Sequence, residues 1–221
     1  MRAVRFHEHG GREVLQVDTV ETPHAGHGEV VVDIEAAGVN PVDTYFREGA
    51  YPVPHLPFIG GGDLAGVVSE VGEGVETFSP GDRVLGTGLG NGRPGTYAEG
   101  VAAPADTLAH LPEAVSFAEG AALGTVGGTA WQALVHHADV DPAERVLVHG
   151  GAGGVGHIAV QLAETMGAHV NATASPDDAD ALADLGVEET IDYSRDDLEA
   201  AIADAGAPDV VVDLHMDQYL Q

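Results

Sequence analysis

The residues of this 221-residue chain whose types and spacing most directly imply chemistry are Gly151, Gly153 and Gly156, which fit the pattern G-x-G-x-x-G. Glycine clusters of this kind also occur in ordinary turns. Here the pattern follows an apolar run, Arg145-Val-Leu-Val-His149, and opens a segment from Gly154 to Gly167. Within that segment Val155, Ile158, Ala159, Leu162, Ala163 and Met166 recur at helical spacing. Strand, glycine turn and amphipathic helix in that order form a dinucleotide site. The glycines permit a tight turn and close approach of the backbone, and the pyrophosphate rests on N–H groups at the start of the helix.

The identity of the dinucleotide is read about 20 residues further on, where an acidic residue at the end of the second strand would hold the ribose 2′-hydroxyl of NAD. The chain has Ser175 there, a neutral group that meets a 2′-phosphate without repelling it, which favours NADPH. Asp177 and Asp178 close by, and no arginine before Arg195, weigh the other way. Ser175 also reads as a helix N-cap ahead of Pro176, a role that does not exclude contact with the cofactor.

These groups need a scaffold, and its texture changes near residue 126. Residues 1–125 are rich in glycine, proline and short alternating runs such as Glu29 to Ala36, Gly66 to Val71 and Asp82 to Leu85, the pattern of a β-rich domain. Residues 126–221 alternate strand and helix. Strands are predicted at Arg145 to His149, His169 to Ala174, Glu189 to Asp192 and Val210 to Leu214, with helices at Gly154 to Gly167, Asp177 to Leu185 and Leu198 to Ala203. That alternation implies parallel strands with crossover helices, a doubly wound sheet, so the expected class is α/β.

Composition narrows the function. Cysteine is absent, which excludes disulfides, a thiolate nucleophile and any zinc site built on cysteine. The 36 acidic residues face 8 basic ones, all arginine, for a net charge of −28. The acid is spread between apolar segments rather than gathered in a tail. Self-repulsion on this scale is relieved when the screening length shrinks to about 3 Å at 1 M salt, so the chain reads as adapted to a salt-loving organism's cytoplasm. The same charge argues against nucleic-acid partners. No apolar run is long enough to span a membrane, and the N-terminus lacks the apolar stretch of a signal peptide, so a cytoplasmic protein is expected.

Taken together, several stretches resemble the medium-chain dehydrogenase/reductase superfamily, and within it the zeta-crystallin-like quinone oxidoreductases. They are Gly38-Val-Asn-Pro-Val-Asp-Thr-Tyr-Phe-Arg47, Leu56-Pro-Phe-Ile-Gly-Gly-Gly-Asp-Leu-Ala-Gly66, Val71-Gly-Glu-Gly-Val75, Gly81-Asp-Arg-Val84, the glycine turn, and Ile191-Asp-Tyr193. The resemblance implies a GroES-like catalytic and substrate domain over 1–125 and a Rossmann NADP-binding domain over 126–221. In zinc-dependent relatives a cysteine falls within Gly38 to Asp43 and a Gly-His-Glu motif falls on Gly61-Gly62-Asp63. Neither the cysteine nor the histidine is present, so no metal is expected. Glycine also stands at Gly60, where relatives usually carry proline.

The resemblance further implies roles. Asn40 and Tyr45 line the nicotinamide and substrate cleft, and Thr129 borders the nicotinamide ribose. Ala152, Gly153, Gly154 and Val155 cradle the phosphates, while Ser175 and Tyr193 frame the 2′-phosphate. Asp43 and Arg47 are expected to pair and fix the short helix that presents Tyr45. The implied activity is transfer of reducing equivalents from NADPH to a quinone, with Tyr45 and Asn40 donating hydrogen bonds to the developing oxygen. An enoyl or alkenal reductase on the same scaffold and a non-catalytic NADPH-binding protein are the alternatives. Relatives of this family run about a hundred residues further. The chain is therefore expected to be a fragment with Val210 to Leu214 as an apolar edge, and the full-length form a homo-oligomer.

Overall fold

The computed structural model describes residues 1–214. The chain divides into two compact units, Met1–Thr125 and Val126–Gln221.

The first unit is built on antiparallel strands. β1 (Arg2–Phe6) pairs with β2 (Leu15–Thr19) and, further on, with the two-residue β4 (Phe58–Ile59). A five-stranded sheet forms the body of the unit: β3 (Glu29–Gly38), β5 (Asp63–Val71), β6 (Arg83–Gly86), β7 (Gly100–Pro104) and β8 (Leu108–His110) lie in the order β7-β3-β5-β6-β8. A short helix, α1 (Pro41–Glu48), follows β3 directly. Strand β5 reads Leu-Ala-Gly-Val-Val without polar alternation because it is buried on both faces. Leu64 and Val68 enter the cluster of Val30, Val32, Val84 and Val101, whereas Ala65 packs with Leu111 and Ala121. The sheet thereby presents the start of β5, where Asp63 lies, beside the end of β3 and the start of α1.

Helix α2 (Phe117–Trp131) contains the division between the units. Its start is written in the sequence as Ser116-Phe-Ala-Glu119, and the structure shows the reciprocal pair. The Ser116 backbone N–H donates to Glu119 Oε2 at 2.8 Å, and the Glu119 N–H donates to Ser116 Oγ at 3.2 Å. The Ser116 hydroxyl, and after it the Ser116 N–H, hold the Glu119 carboxyl below the usual range. A depressed folded-state value contributes stability above the unfolded pKa that is lost as pH falls through the folded one. Ser116→Ala is expected to lower Tm by roughly 2–4 °C near neutrality. The deficit should shrink in acid; thermal scans at pH 7 and pH 3 check both.

The second unit is a four-stranded parallel sheet, β11 (Glu189–Asp192), β10 (His169–Ala174), β9 (Arg145–His149) and β12 (Val210–Asp213) in that spatial order. Strand β9 shows why the sheet is doubly wound. Val146 and Val148 join Ala159, Val160 and Ala163 of α3 (Gly156–Thr165) on one face. Leu147 joins Ile191 and Ala201 of α5 (Leu198–Asp204) on the other. Helix α4 (Ala179–Asp184) is shorter than the sequence implied, because Pro176–Asp178 forms a separate tight turn ahead of it. A wide-turn segment over Gln132–His137 continues α2. The architecture is α/β, with a GroES-like first part and a Rossmann-type parallel sheet.

Candidate functional site

The glycine turn joins β9 to α3. The Gly150 and Gly151 N–H groups both donate to the Thr173 carbonyl, at 3.2 and 3.0 Å, tying the turn to the end of β10. The Gly153 N–H donates to the Gly150 carbonyl at 3.0 Å, so it closes the turn from within. Ala152, Gly153 and Gly154 are exposed, Val155 is half-buried, and Gly156 is buried as the first residue of α3. A side chain has no room at Gly156, where a Cβ would lie 2.1 Å from the Gly150 carbonyl oxygen. The turn is therefore an open backbone surface at the positive end of a ten-residue helix, a cradle that fits a pyrophosphate.

Ser175 follows β10 and accepts the Asp177 N–H at 3.3 Å, which makes it the N-cap of the turn before α4. Its hydroxyl proton is not used by that bond. Parallel pairing sets Ala174 against Asp192, and the Tyr193 N–H donates to the Ala174 carbonyl at 3.4 Å, so Ser175 and Tyr193 are brought to the same end of neighbouring strands. Arg195, the first arginine after Ser175, lies two residues beyond Tyr193, past the end of β11. It is held by Asp197 at 2.8 and 3.0 Å. Asp192 at this edge is kept below the usual carboxylate range by the Ser194 hydroxyl, then by its N–H. Thr129 lies exposed on α2, and two residues on Trp131 is 49 % exposed, its Nε1 donating to His136 Nε2 at 3.3 Å.

In the first unit, Asn40 caps α1. Its backbone N–H donates to Asp43 Oδ2 at 2.7 Å, and the same oxygen accepts the Tyr97 hydroxyl at 2.8 Å. Burial, and then Asp43, push the Tyr97 hydroxyl well above its ordinary pKa, so it stays protonated and donates to Asp43. The expected Asp43–Arg47 pair does not form. Asp43 is committed to the cap and to Tyr97, while Arg47 donates to the Gly10 carbonyl at 3.0 Å and pairs with Glu48 at 2.6 Å. Helix α1 is fixed by these separate ties instead. Tyr45 is 46 % exposed and stacks edge-on against Tyr51 at 5.8 Å between ring centres, so its ring is packed while its surface stays open.

The Asn40 side chain turns inward. Its Nδ2 donates to Asp63 Oδ2 at 2.8 Å and approaches Thr125 Oγ1 at 3.5 Å. Sequence reasoning gave Asp63 no role, its segment serving only to mark the family resemblance and the absence of a metal motif. The available signal was an acid immediately before the apolar run Leu64 to Val68. Two cavities in this unit, of about 720 and 470 Å³, are lined by other residues and by neither Asn40 nor Tyr45. Among the described residues no three His, Asp or Glu side chains converge to hold a metal, and no helix is long and apolar enough to cross a membrane.

Comparison with known proteins adds the lineage. Residues 26–113 match the alcohol dehydrogenase GroES-like domain and residues 154–220 the zinc-binding dehydrogenase domain. The quinone oxidoreductase structure from Coxiella burnetii is 37 % identical, superposes with a TM-score of 0.89, and is matched over 97 % of this chain and 68 % of its own. The chain belongs to the medium-chain dehydrogenase/reductase family. Among members of this family, human quinone oxidoreductase is 42 % identical over 180 residues, 80 % of this chain. The chain spans 54 % of that relative's length. The Escherichia coli quinone oxidoreductase, solved in complex with NADPH, is 36 % identical with a TM-score of 0.82, over 93 % of this chain and 63 % of its own. Cysteine is absent from the sequence, so no zinc site built on cysteine ligands can form in it.

Proposed function

We propose that the protein is a zinc-independent, NADPH-dependent quinone oxidoreductase whose acidic surface suits a salt-rich cytoplasm. Residues 1–125 serve the acceptor and 126–221 the cofactor. The observation that carries the reading is the open glycine turn at the start of α3, followed at the end of β10 by Ser175 where an NAD-selecting acid would stand. A quinone oxidoreductase relative solved with NADPH supports the same choice.

Ala152, Gly153, Gly154 and Val155 hold the pyrophosphate, Ser175 and Tyr193 the 2′-phosphate, and Thr129 the nicotinamide ribose. The bound dinucleotide supplies a hydride. The chain's own contribution is to orient an electron-poor acceptor and stabilise charge on its oxygen. Tyr45, with its exposed edge, donates its hydroxyl to that oxygen and supplies a proton there. Asn40 lines the acceptor cleft with its amide nitrogen held by Asp63 and approaching Thr125 Oγ1.

The test is a titration of Trp131 fluorescence in multimolar KCl with NADPH and with NADH, alongside NADPH oxidation by a naphthoquinone and by an α,β-unsaturated ketone. Quenching at several-fold lower NADPH than NADH, with faster turnover on the quinone, is the expected result. Preference for NADH would remove Ser175 as phosphate selector, and turnover on the enone alone would make the protein an enoyl or alkenal reductase. Cofactor binding without turnover on either acceptor would overturn the enzymatic reading. The proposed assembly is a homo-oligomer.

A further inference from the structure

Asp63 occupies the first position of β5 and is 1 % exposed, yet both of its carboxyl oxygens are filled. Oδ2 accepts Asn40 Nδ2 at 2.8 Å and the Thr125 backbone N–H at 3.0 Å. Oδ1 accepts the Thr87 hydroxyl at 2.5 Å and the Thr125 hydroxyl at 2.8 Å. Four donors on two oxygens is the arrangement of a group that only accepts. The surroundings leave it no other pose. A Cβ on Gly124 would lie 2.7 Å from Asp63 Oδ1, and one on Gly38 would lie 2.9 Å from the Asp63 Cβ, so backbone closes in on both sides.

The two ends of an asparagine amide have the same shape and opposite hydrogen-bonding character, and only a partner of fixed character can tell them apart. Asp63 is such a partner. We infer that Asp63 is a positioning residue for the reaction: it holds the Asn40 amide with the nitrogen inward and locks that pose to Thr125 on α2 through the shared oxygen Oδ2. Asp63 itself meets no ligand. Its effect reaches the acceptor through Asn40, a step that rests on the reductase reading above.

A double-mutant cycle separates this role from simple structural support. Asp63→Asn, Asn40→Ala and the double variant are compared in multimolar KCl for quinone turnover and for NADPH affinity. Each single change should lower kcat/KM for the quinone by about tenfold or more. NADPH affinity should stay within about threefold, because the pyrophosphate is held by the α3 turn. The double variant should fall no more than about twofold below Asn40→Ala, since Asp63 has nothing left to position. Losses that multiply would overturn the proposal.

A second measurement needs no turnover and no folded Asp63 variant. In the unmutated protein, one side-chain amide proton of Asn40, assigned by its disappearance in Asn40→Ala, should resonate downfield of the usual range and exchange slowly. An Asn40 amide with ordinary shifts and fast exchange would overturn the link to Asp63. Absence of turnover in the unmutated protein would instead overturn the reductase reading, leaving the amide signal to decide whether Asp63 holds Asn40.

Discussion

Gly156→Ala should abolish useful cofactor binding. The added methyl would lie 2.1 Å from the Gly150 carbonyl oxygen and 2.8 Å from both the Cα and the carbonyl oxygen of Gly151. All three are backbone atoms of the turn that forms the cradle, so no side chain can rotate aside. The turn must open by about 1 Å, and displacement of that size costs on the order of a hundredfold where binding depends on convergent N–H groups. The NADPH dissociation constant is expected to rise by about that factor, with a further loss of about 1–3 kcal/mol in stability from overpacking. Gly128→Ala on α2, where an added Cβ meets nothing within 4 Å, is the matched control and should hold or raise Tm. Calorimetric titration with NADPH reads the first effect and a thermal scan the second. A Gly156→Ala protein that binds NADPH normally would show that the phosphates lie elsewhere.

Transfer from about 3 M to about 0.1 M KCl should unfold the protein or lower its Tm by well over 10 °C. The screening length lengthens to about 10 Å at 0.1 M, and a net charge of −28 then repels itself across the surface. Few cations answer it. Among the described residues, arginine pairs with carboxylates at Glu99, Asp18, Glu48, Glu29 and Asp197, and eight arginines in the sequence face 36 acidic residues. The turn and helix over Pro176–Asp184 carry Asp177, Asp178, Asp180 and Asp184 without a basic residue. Asp184 sits at the helix C-terminus, where the dipole also disfavours it. Asp184→Arg should therefore raise Tm at low salt and leave it unchanged at high salt. Sucrose strengthens apolar burial without screening charge. If sucrose restored Tm as fully as KCl, repulsion would not be the cause.

The parts of the fold legible from sequence are those where one local force dominates. Strands β9 and β10 have the bounds that the sequence implies, β9 because its apolar run Val146 to Val148 is covered on both faces and β10 because it is a short segment bounded by the turn at Gly167 and by Pro176. Helix α2 was not legible. Its Gly120, Gly124, Gly127 and Gly128 carry the propensity of a loop, and tertiary packing overrides it, with Gly124 fitted against Asp63. The Ser175 N-cap could be read because its partner Asp177 lies two residues on, and the glycine turn because its spacing is written in consecutive residues, although its ties to Thr173 were not. The hold on Asn40 could not, since the groups around Asp63 lie 23, 24 and 62 positions away.

Those same separations bear on the lifetime of the fold. The bonds to Asp63 cannot form until the chain from Asn40 to Thr125 has been gathered, and loop closure of that length is costly before the surrounding sheet exists. Interactions completed on the native side of the folding barrier leave the refolding rate nearly untouched when removed and appear in the rate of unfolding. Asp63 is expected to act as a latch rather than a seed: its replacement should speed unfolding of the first unit and leave the refolding rate nearly unchanged in stopped-flow measurements.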